Sequence, residues 1–231
     1  MKAWVRVGGI LVCFLLQVSL GWGQDWVLLA EQRFQVENFP PVQVAPHLAA
    51  NARFQHDTIF LGQIQADFHT LDDTLSLLYH EYQHYLMKGR FPTAVDDQGV
   101  PRQWMVEEFY RYEPSTDQVA RELEQCADYL NGLPQAARAV QLASLEKSLA
   151  APRKLPLRYA PSNLAREELL AYQSQLAGEQ LGYYELSPEA RRAIRIRLHQ
   201  LKASLVQREK YEERHQLGPD GAPLADRGTR Q

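Results

Sequence analysis

The stretch that decides the fold is Leu71 to Lys88, LDDTLSLLYHEYQHYLMK. Its large apolar side chains recur at three- and four-residue spacing, which predicts a helix with one apolar stripe. The stripe consists of Leu71, Leu75, Leu78, Tyr82 and Leu86. Thr70 lies three residues before Asp73, as in a capping box, and Gly89 followed by Pro92 is typical of a helix end. The sequence therefore predicts one helix over this stretch.

Inside this helix, His80-Glu81-Tyr82-Gln83-His84 spells the pattern H-E-x-x-H. Residues four apart lie on one face of a helix, so the two imidazoles can converge on one metal ion. Glu81 follows the first histidine, where its carboxylate can reach a water on that metal. The pattern predicts a metal site with His80 and His84 as ligands and Glu81 as general base.

Two histidines hold zinc poorly, and a catalytic zinc site usually has three protein ligands and one open position. At this point the residues resemble the zincin metallopeptidases. No third histidine follows His84 in the spacing of the metzincin branch, H-E-x-x-H-x-x-G-x-x-H. The resemblance is therefore to the gluzincins, whose third ligand is a glutamate from a downstream helix. It implies bound Zn²⁺ and the hydrolysis of peptide bonds.

Three glutamates compete for the role of third ligand. Glu168, in EELLAYQSQ, has the small Ala171 three positions on and resembles the glutamate helix of several gluzincins. The small residue would let this helix approach the H-E-x-x-H helix closely, and Tyr172 would line the cleft. On its full local pattern we prefer Glu168.

The two other glutamates lie closer to His84 in the sequence. Glu124 with Asp128 resembles an E-x-x-x-D form, in which the aspartate holds a ligand histidine. Glu107 in WMVE resembles a W-x-x-E-G element, although Glu108 replaces the glycine. The family often uses a tyrosine or histidine to stabilise the oxyanion. The candidates for that role are Tyr172, Tyr110, Tyr183 and Tyr184.

Residues 1–23 read as a secretory signal peptide. Lys2 and Arg6 precede an apolar run over residues 8–20, and small residues follow at 21–23. An uncleaved N-terminal anchor is the alternative. After cleavage Cys126 is the one cysteine left, so we expect no internal disulfide. We expect its side chain to be a small buried hydrophobe, with zinc ligation as a minor alternative.

Composition fits an ordinary soluble domain with a real core. The chain has 231 residues, is 45% hydrophobic and 23% charged, and carries a formal net charge of −3. The sequence has no basic patch of the kind that binds nucleic acid, so we do not expect a nucleic-acid partner. We expect an α+β fold: a predominantly helical zincin-like domain over residues 24–215 with a small N-terminal β-sheet, and a disordered Gly/Pro-rich tail over 216–231. The oligomeric state is left open.

Local patterns predict the other elements. Short strands are expected at 27–29, 34–36, 42–44 and 58–61. Helices are expected at 101–112, 116–130, 134–150, 163–181 and 188–215, with a proline-rich connector at 151–161. His47, His56 and His69 lack ligand spacing and are expected to be ordinary surface histidines.

The leading hypothesis is an exported zinc metallopeptidase that acts on a peptide or protein substrate. A second hypothesis is an exported helical binding or scaffold protein with a degenerate or structural metal site. A third hypothesis is a metal-dependent hydrolase that cleaves a different bond, for example an amidase that acts on the cell wall.

Overall fold

A computed structural model describes residues 24–62, 67–93 and 104–224. The predicted signal peptide and residues 225–231 lie outside the described part of the chain. The chain forms two compact units, one within residues 1–88 and 170–191, the other within residues 89–169 and 192–231. None of the helices described is long and apolar enough to cross a bilayer.

The first unit contains two helices that are wholly its own and one three-stranded sheet. In chain order its elements are α1 (residues 24–34), β1 (Val42–Val44), β2 (Ala52–Gln55), β3 (Thr58–Leu61) and α2 (Leu71–Leu86). The sheet has the order β1-β3-β2; β1 runs parallel to β3, and β2 runs antiparallel to it. Residues 56 and 57 have positive φ angles, as a tight hairpin turn between β2 and β3 requires.

Helix α2 begins with the predicted capping box. The Thr70 hydroxyl accepts from the Asp73 amide at 2.9 Å, and the Asp73 carboxylate accepts from the Thr70 amide. The second carboxylate oxygen of Asp73 accepts from the amide of Ser187 at 2.9 Å, and Asp72 accepts from the amide of Glu185. The start of α2 is therefore tied to the segment that precedes the last helix.

The core of the first unit includes Leu75, Leu78 and Ile59, which are fully buried. Beside them Phe34 packs against an aromatic cluster formed by Tyr79, Tyr183 and Tyr184. Helix α6 (Ser162–Gln180) reaches this cluster at Gly178. A Cβ atom at Gly178 would lie 2.4 Å from the Tyr184 hydroxyl, so glycine is what permits this close approach.

The second unit is built on a two-stranded antiparallel ribbon. Its strands are β4 (Trp104–Tyr112) and β5 (Arg153–Tyr159), and the helices between them are α3 (Thr116–Gln125), α4 (Ala127–Asn131) and α5 (Gln135–Ala150). Most of helix α7 (Pro188–Arg214) also belongs to this unit. Glu212 on α7 is buried and accepts from the Tyr159 hydroxyl and from the amide of Ser162, at the start of α6.

The α+β, predominantly helical fold class is confirmed. The helices expected at 134–150, 163–181 and 188–215 are present, as are the strands at 42–44 and 58–61. The helix expected at 116–130 is present as α3 and α4, with a break at Cys126, which is half-buried.

Four local predictions were wrong. Residues 27–29 and 34–36 belong to helix α1 and the turn that ends it, because a short apolar run fits a helix as well as a strand. Where residues 101–112 are described, they form strand β4, and the proline-rich connector contains β5. Pro156 sits in β5 opposite Phe109, beside the irregular register of the ribbon. Both strands of a two-stranded ribbon are edges, and an edge tolerates proline.

The segment after α7 is folded as far as it is described. Leu217 bridges Pro223, and the Leu224 amide donates to the carbonyl of Gln216 at 2.9 Å. The carbonyl of Pro219 accepts from the amide of Asn163 at 2.9 Å. Residues 216–224, which we expected to be disordered, thus provide a hydrogen-bond acceptor for a backbone amide in the first turn of α6. Local composition does not reveal this contact.

Candidate metal centre

Helix α2 presents His80 and His84 on one face. Their Nε2 atoms lie 3.2 Å apart, and their ring centroids are 5.0 Å apart. His80 is buried and His84 is half-buried. The i, i+4 spacing thus brings two imidazole nitrogens to a common point, as the sequence predicts.

Helix α6 supplies the third side chain. A carboxylate oxygen of the half-buried Glu168 and a ring nitrogen of each histidine all lie within 4.8 Å of one another. Glu168 lies one turn before Tyr172, whose ring packs on His80 with the centroids 4.3 Å apart. Because α6 is one unbroken helix, the packing of Tyr172 on His80 also fixes the position of Glu168 relative to the histidines.

The donor set fits a divalent metal ion. Two ligands 2.0–2.1 Å from a tetrahedral centre lie about 3.3 Å apart, and the two imidazole nitrogens are 3.2 Å apart. Among the histidine, cysteine, aspartate and glutamate side chains described, His80, His84 and Glu168 form the one group of three or more that could hold a metal ion. Glu168 is also the glutamate that the sequence favours.

Glu81 follows His80 on α2 and is buried. Its Oε2 atom accepts a 2.7 Å hydrogen bond from the backbone amide of Phe54 on β2. Sequence reasoning missed β2 and this contact. The signal was present: Ala52 to Gln55 alternates in polarity, and His56-Asp57 precedes the predicted strand at Thr58, as in a hairpin.

The alternative ligands have different surroundings. Glu124 on α3 is exposed and pairs with Arg192, and this ion pair lowers the pKa of its carboxyl group. Asp128 is also exposed. Glu107 lies on β4, but its side chain lies outside the described part of the structure. Neither Glu124 nor Asp128 belongs to the group around His80.

The four tyrosines that are candidates for oxyanion stabilisation also differ in their surroundings. Tyr172 contacts His80, as described above. Tyr183 and Tyr184 pack in the aromatic cluster, and the Tyr184 hydroxyl donates to the carbonyl of Gln175 at 2.7 Å. Tyr110 lies on β4 with its ring against that of Tyr112. Burial raises the pKa of both the Tyr184 and the Tyr110 hydroxyl, which favours a structural role for them.

A cavity of about 720 Å³ lies at the end of α2. It is lined by Asn38, Phe39, Pro40, Pro41, Asp57, Tyr85, Leu86 and Lys88. Lys88 lies just past the end of α2 and forms a 2.6 Å ion pair with Asp57. The cavity therefore borders the carboxyl-terminal end of α2, the helix that carries both histidines.

Comparison of the chain with protein-family models, with characterised proteins and with solved structures finds no match. The residues and the geometry of this centre are therefore the basis for inferring a function.

Proposed function

We propose that this chain is a zinc-dependent metallopeptidase. The observation that carries the proposal is the convergence of His80, His84 and Glu168, with the buried Glu81 next to His80 in the sequence of α2. Two histidines and one carboxylate leave one position of a tetrahedral zinc ion open, which is the arrangement of a catalytic rather than a closed structural site.

The two imidazoles would bind the metal in their neutral form through Nε2, and Glu168 would complete the set as a carboxylate. Zn²⁺, when bound, supplies a Lewis acid that makes a water more acidic and a carbonyl carbon more electrophilic. The half-buried positions of His84 and Glu168 leave access from solvent on that side.

Glu81 is the proposed proton carrier. It takes a proton from the attacking water as general base and passes it to the amine that leaves. The Phe54 amide, 2.7 Å from Oε2, fixes the orientation of this carboxylate before any substrate arrives. A positioned base of this kind typically contributes about 10²- to 10⁴-fold to the rate.

The proposed substrate is a peptide or protein segment. The 720 Å³ cavity at the end of α2 supports this proposal, because it combines apolar and aromatic with polar side chains at the end of the helix that carries both histidines. We propose that the protein is exported through residues 1–23 and that nucleic acid is not a partner.

Zinc content and peptide cleavage test the proposal. The full chain, dialysed after loading with Zn²⁺, should retain about one zinc per molecule, and His80→Ala should lose it. Glu81→Gln should keep the zinc and lose cleavage of a mixed peptide library. Cleavage by Glu81→Gln at the rate of the unmodified chain would contradict the peptidase mechanism.

The rival is a structural metal site in a binding or scaffold protein. The hydrogen bond between Phe54 and Glu81 favours it, because that bond gives Glu81 a structural task of its own. Under this reading the chain holds zinc and cleaves nothing, and zinc removal changes only the unfolding temperature. The same two measurements therefore separate the two functions.

A further inference from the structure

Helices α2 and α6 meet at three successive turns. Ser76 contacts Gln175, His80 contacts Tyr172, and His84 lies in one group with Glu168. Each step of four residues forward on α2 is matched by three or four residues backward on α6. The two helices therefore run antiparallel in one register, and the candidate metal centre is the third contact of that series.

The first contact of the series is polar and directional. Gln175 is fully buried, and its Nε2 atom donates to the Ser76 hydroxyl oxygen at 2.9 Å. The Ser76 hydroxyl in turn donates to the backbone carbonyl of Asp73 at 2.7 Å. Ala171, one turn before Gln175 on α6, is also fully buried, and the contacts of its small apolar side chain have no preferred direction.

A slide of α6 along α2 would leave the carboxamide of Gln175 buried without its acceptor. Buried amide donors without acceptors are strongly disfavoured, whereas an alanine contact tolerates a shift. Of these contacts, the hydrogen bond therefore defines the register most sharply.

The metal centre depends on that register. One residue of helix rise is 1.5 Å, whereas ligand distances in a metal site hold within about 0.2 Å. Glu168 lies seven residues before Gln175 on the same helix. An error of register at Gln175 therefore moves the carboxylate out of ligand distance from both histidines.

We propose that Gln175 is a positioning residue of the metal centre, and that its hydrogen bond to Ser76 sets where α6 presents Glu168. This inference rests on the proposed metal centre. It assigns to a buried amide two turns from Glu168 a role in metal affinity.

The test is the affinity of the full chain for Zn²⁺ alone, measured by competition with a chromophoric chelator. Gln175→Met keeps the length of the side chain and removes the donor. We expect its zinc affinity to fall at least tenfold, the lower end of the loss seen for residues that orient ligands. Ser76→Ala removes the same hydrogen bond from the α2 side and serves if Gln175→Met does not fold. We expect a similar loss.

Tyr112→Phe is the matched control, because it removes a different side-chain hydrogen bond made by a buried residue, 2.6 Å to Gln118, within the second unit. It should lower the unfolding temperature and leave the zinc affinity unchanged. The double variant Ser76→Ala/Gln175→Met should bind zinc about as weakly as either single variant, because one hydrogen bond is lost in all three.

Two outcomes overturn the inference. If folded Gln175→Met and Ser76→Ala both bind zinc within twofold of the unmodified chain, Gln175 has only a packing role. If their losses add in the double variant, the two side chains act separately. Absence of zinc binding in the unmodified chain would instead remove the proposed metal centre itself, and the inference with it.

Discussion

The backbone amide of Phe54 donates to the carboxylate of Glu81 at 2.7 Å, so strand β2 holds the residue next to the first metal-ligand candidate. The bond joins the sheet to the H-E-x-x-H helix at the position where proton transfer is proposed. Glu81 therefore has a task in the fold besides its proposed task in the chemistry, and two substitutions distinguish them.

Glu81→Gln retains an oxygen that can accept from Phe54, whereas Glu81→Ala retains none. We expect Glu81→Gln to unfold near the temperature of the unmodified chain and to lose activity by about 10²- to 10⁴-fold. Glu81→Ala should also lose about 1–3 kcal/mol of unfolding free energy, because the Phe54 amide then lacks its acceptor. Urea unfolding and peptide cleavage measure the two effects, and equal stability of both variants would contradict the structural task.

Zinc should stabilise the folded chain. A ligand that binds only the folded state at about 100 times its dissociation constant raises the unfolding free energy by about 2.7 kcal/mol. Thermal unfolding with and without Zn²⁺ measures the effect, and a chelator should reverse it. His84→Ala and Glu168→Gln should each show a much smaller shift. A full shift in Glu168→Gln would show that this carboxylate is not a ligand.

Gly178→Ala should destabilise the first unit. The new Cβ atom would lie 2.4 Å from the Tyr184 hydroxyl and 3.1 Å from the Tyr79 ring, and overpacking of this kind typically costs about 1–3 kcal/mol. The control is Gly132→Ala, where the nearest atom would be 3.5 Å away and the backbone is helical. That substitution should be neutral or stabilising by about 0.4–1 kcal/mol.

A second substitution should partly restore the stability that Gly178→Ala removes. Tyr184→Phe removes the hydroxyl that the new Cβ would meet first. In the background of Tyr184→Phe, Gly178→Ala should cost less than in the unmodified chain. Equal costs in the two backgrounds would show that the hydroxyl contact is not the cause. Urea unfolding of the four proteins provides the comparison.

Glu122 and Arg153 should make stability depend on acid pH. Arg153 donates to both carboxylate oxygens, at 2.6 and 3.2 Å, and these hydrogen bonds hold the pKa of Glu122 below its ordinary value. A depressed carboxyl pKa stabilises the fold above the unfolded pKa, and this contribution disappears as pH falls through the lower, folded value. The advantage of the unmodified chain over Glu122→Gln should therefore shrink on acidification.

Because the pair is partly exposed, we expect a difference of about 1 kcal/mol or less at neutral pH. Urea unfolding at about pH 7 and about pH 3, on either side of the ordinary glutamate pKa, measures it. Glu113→Gln is the control, because the Arg111–Glu113 pair is largely exposed and should contribute little at either pH. A difference for Glu122→Gln that grows at acid pH would contradict the sign.

Local sequence was enough to predict the three residues of the candidate centre that lie on one helix. His80, Glu81 and His84 lie within five residues of one capped helix, so periodicity and capping chemistry predict their arrangement. Glu168 was selected by a resemblance and by the small Ala171, which is indeed fully buried. Strand β2 and its amide were missed because hairpin pairing and the partner of Glu81 are both non-local.

The ribbon of the second unit shows the same limit. WMVEEFYRY fits a helix by spacing and a strand by its aromatic and β-branched content. Its pairing with residues 153–159, more than 40 positions away, decides the outcome. From the sequence alone Pro156 argues against a strand, because proline is excluded from central strands. The sequence does not reveal that β5 pairs with β4 alone and is therefore an edge strand, where proline is tolerated.

The spacing of the three metal-binding candidates has a consequence for how the chain folds. The histidine pair is available as soon as the H-E-x-x-H helix forms, and helices form within about a microsecond. The carboxylate is 84 positions further along, and loops of that length close late because their ends must first find each other. A metal ion can therefore meet a two-ligand, weak site early and a three-ligand, strong site only in the finished protein. Metal uptake would then report the last stage of folding rather than the first.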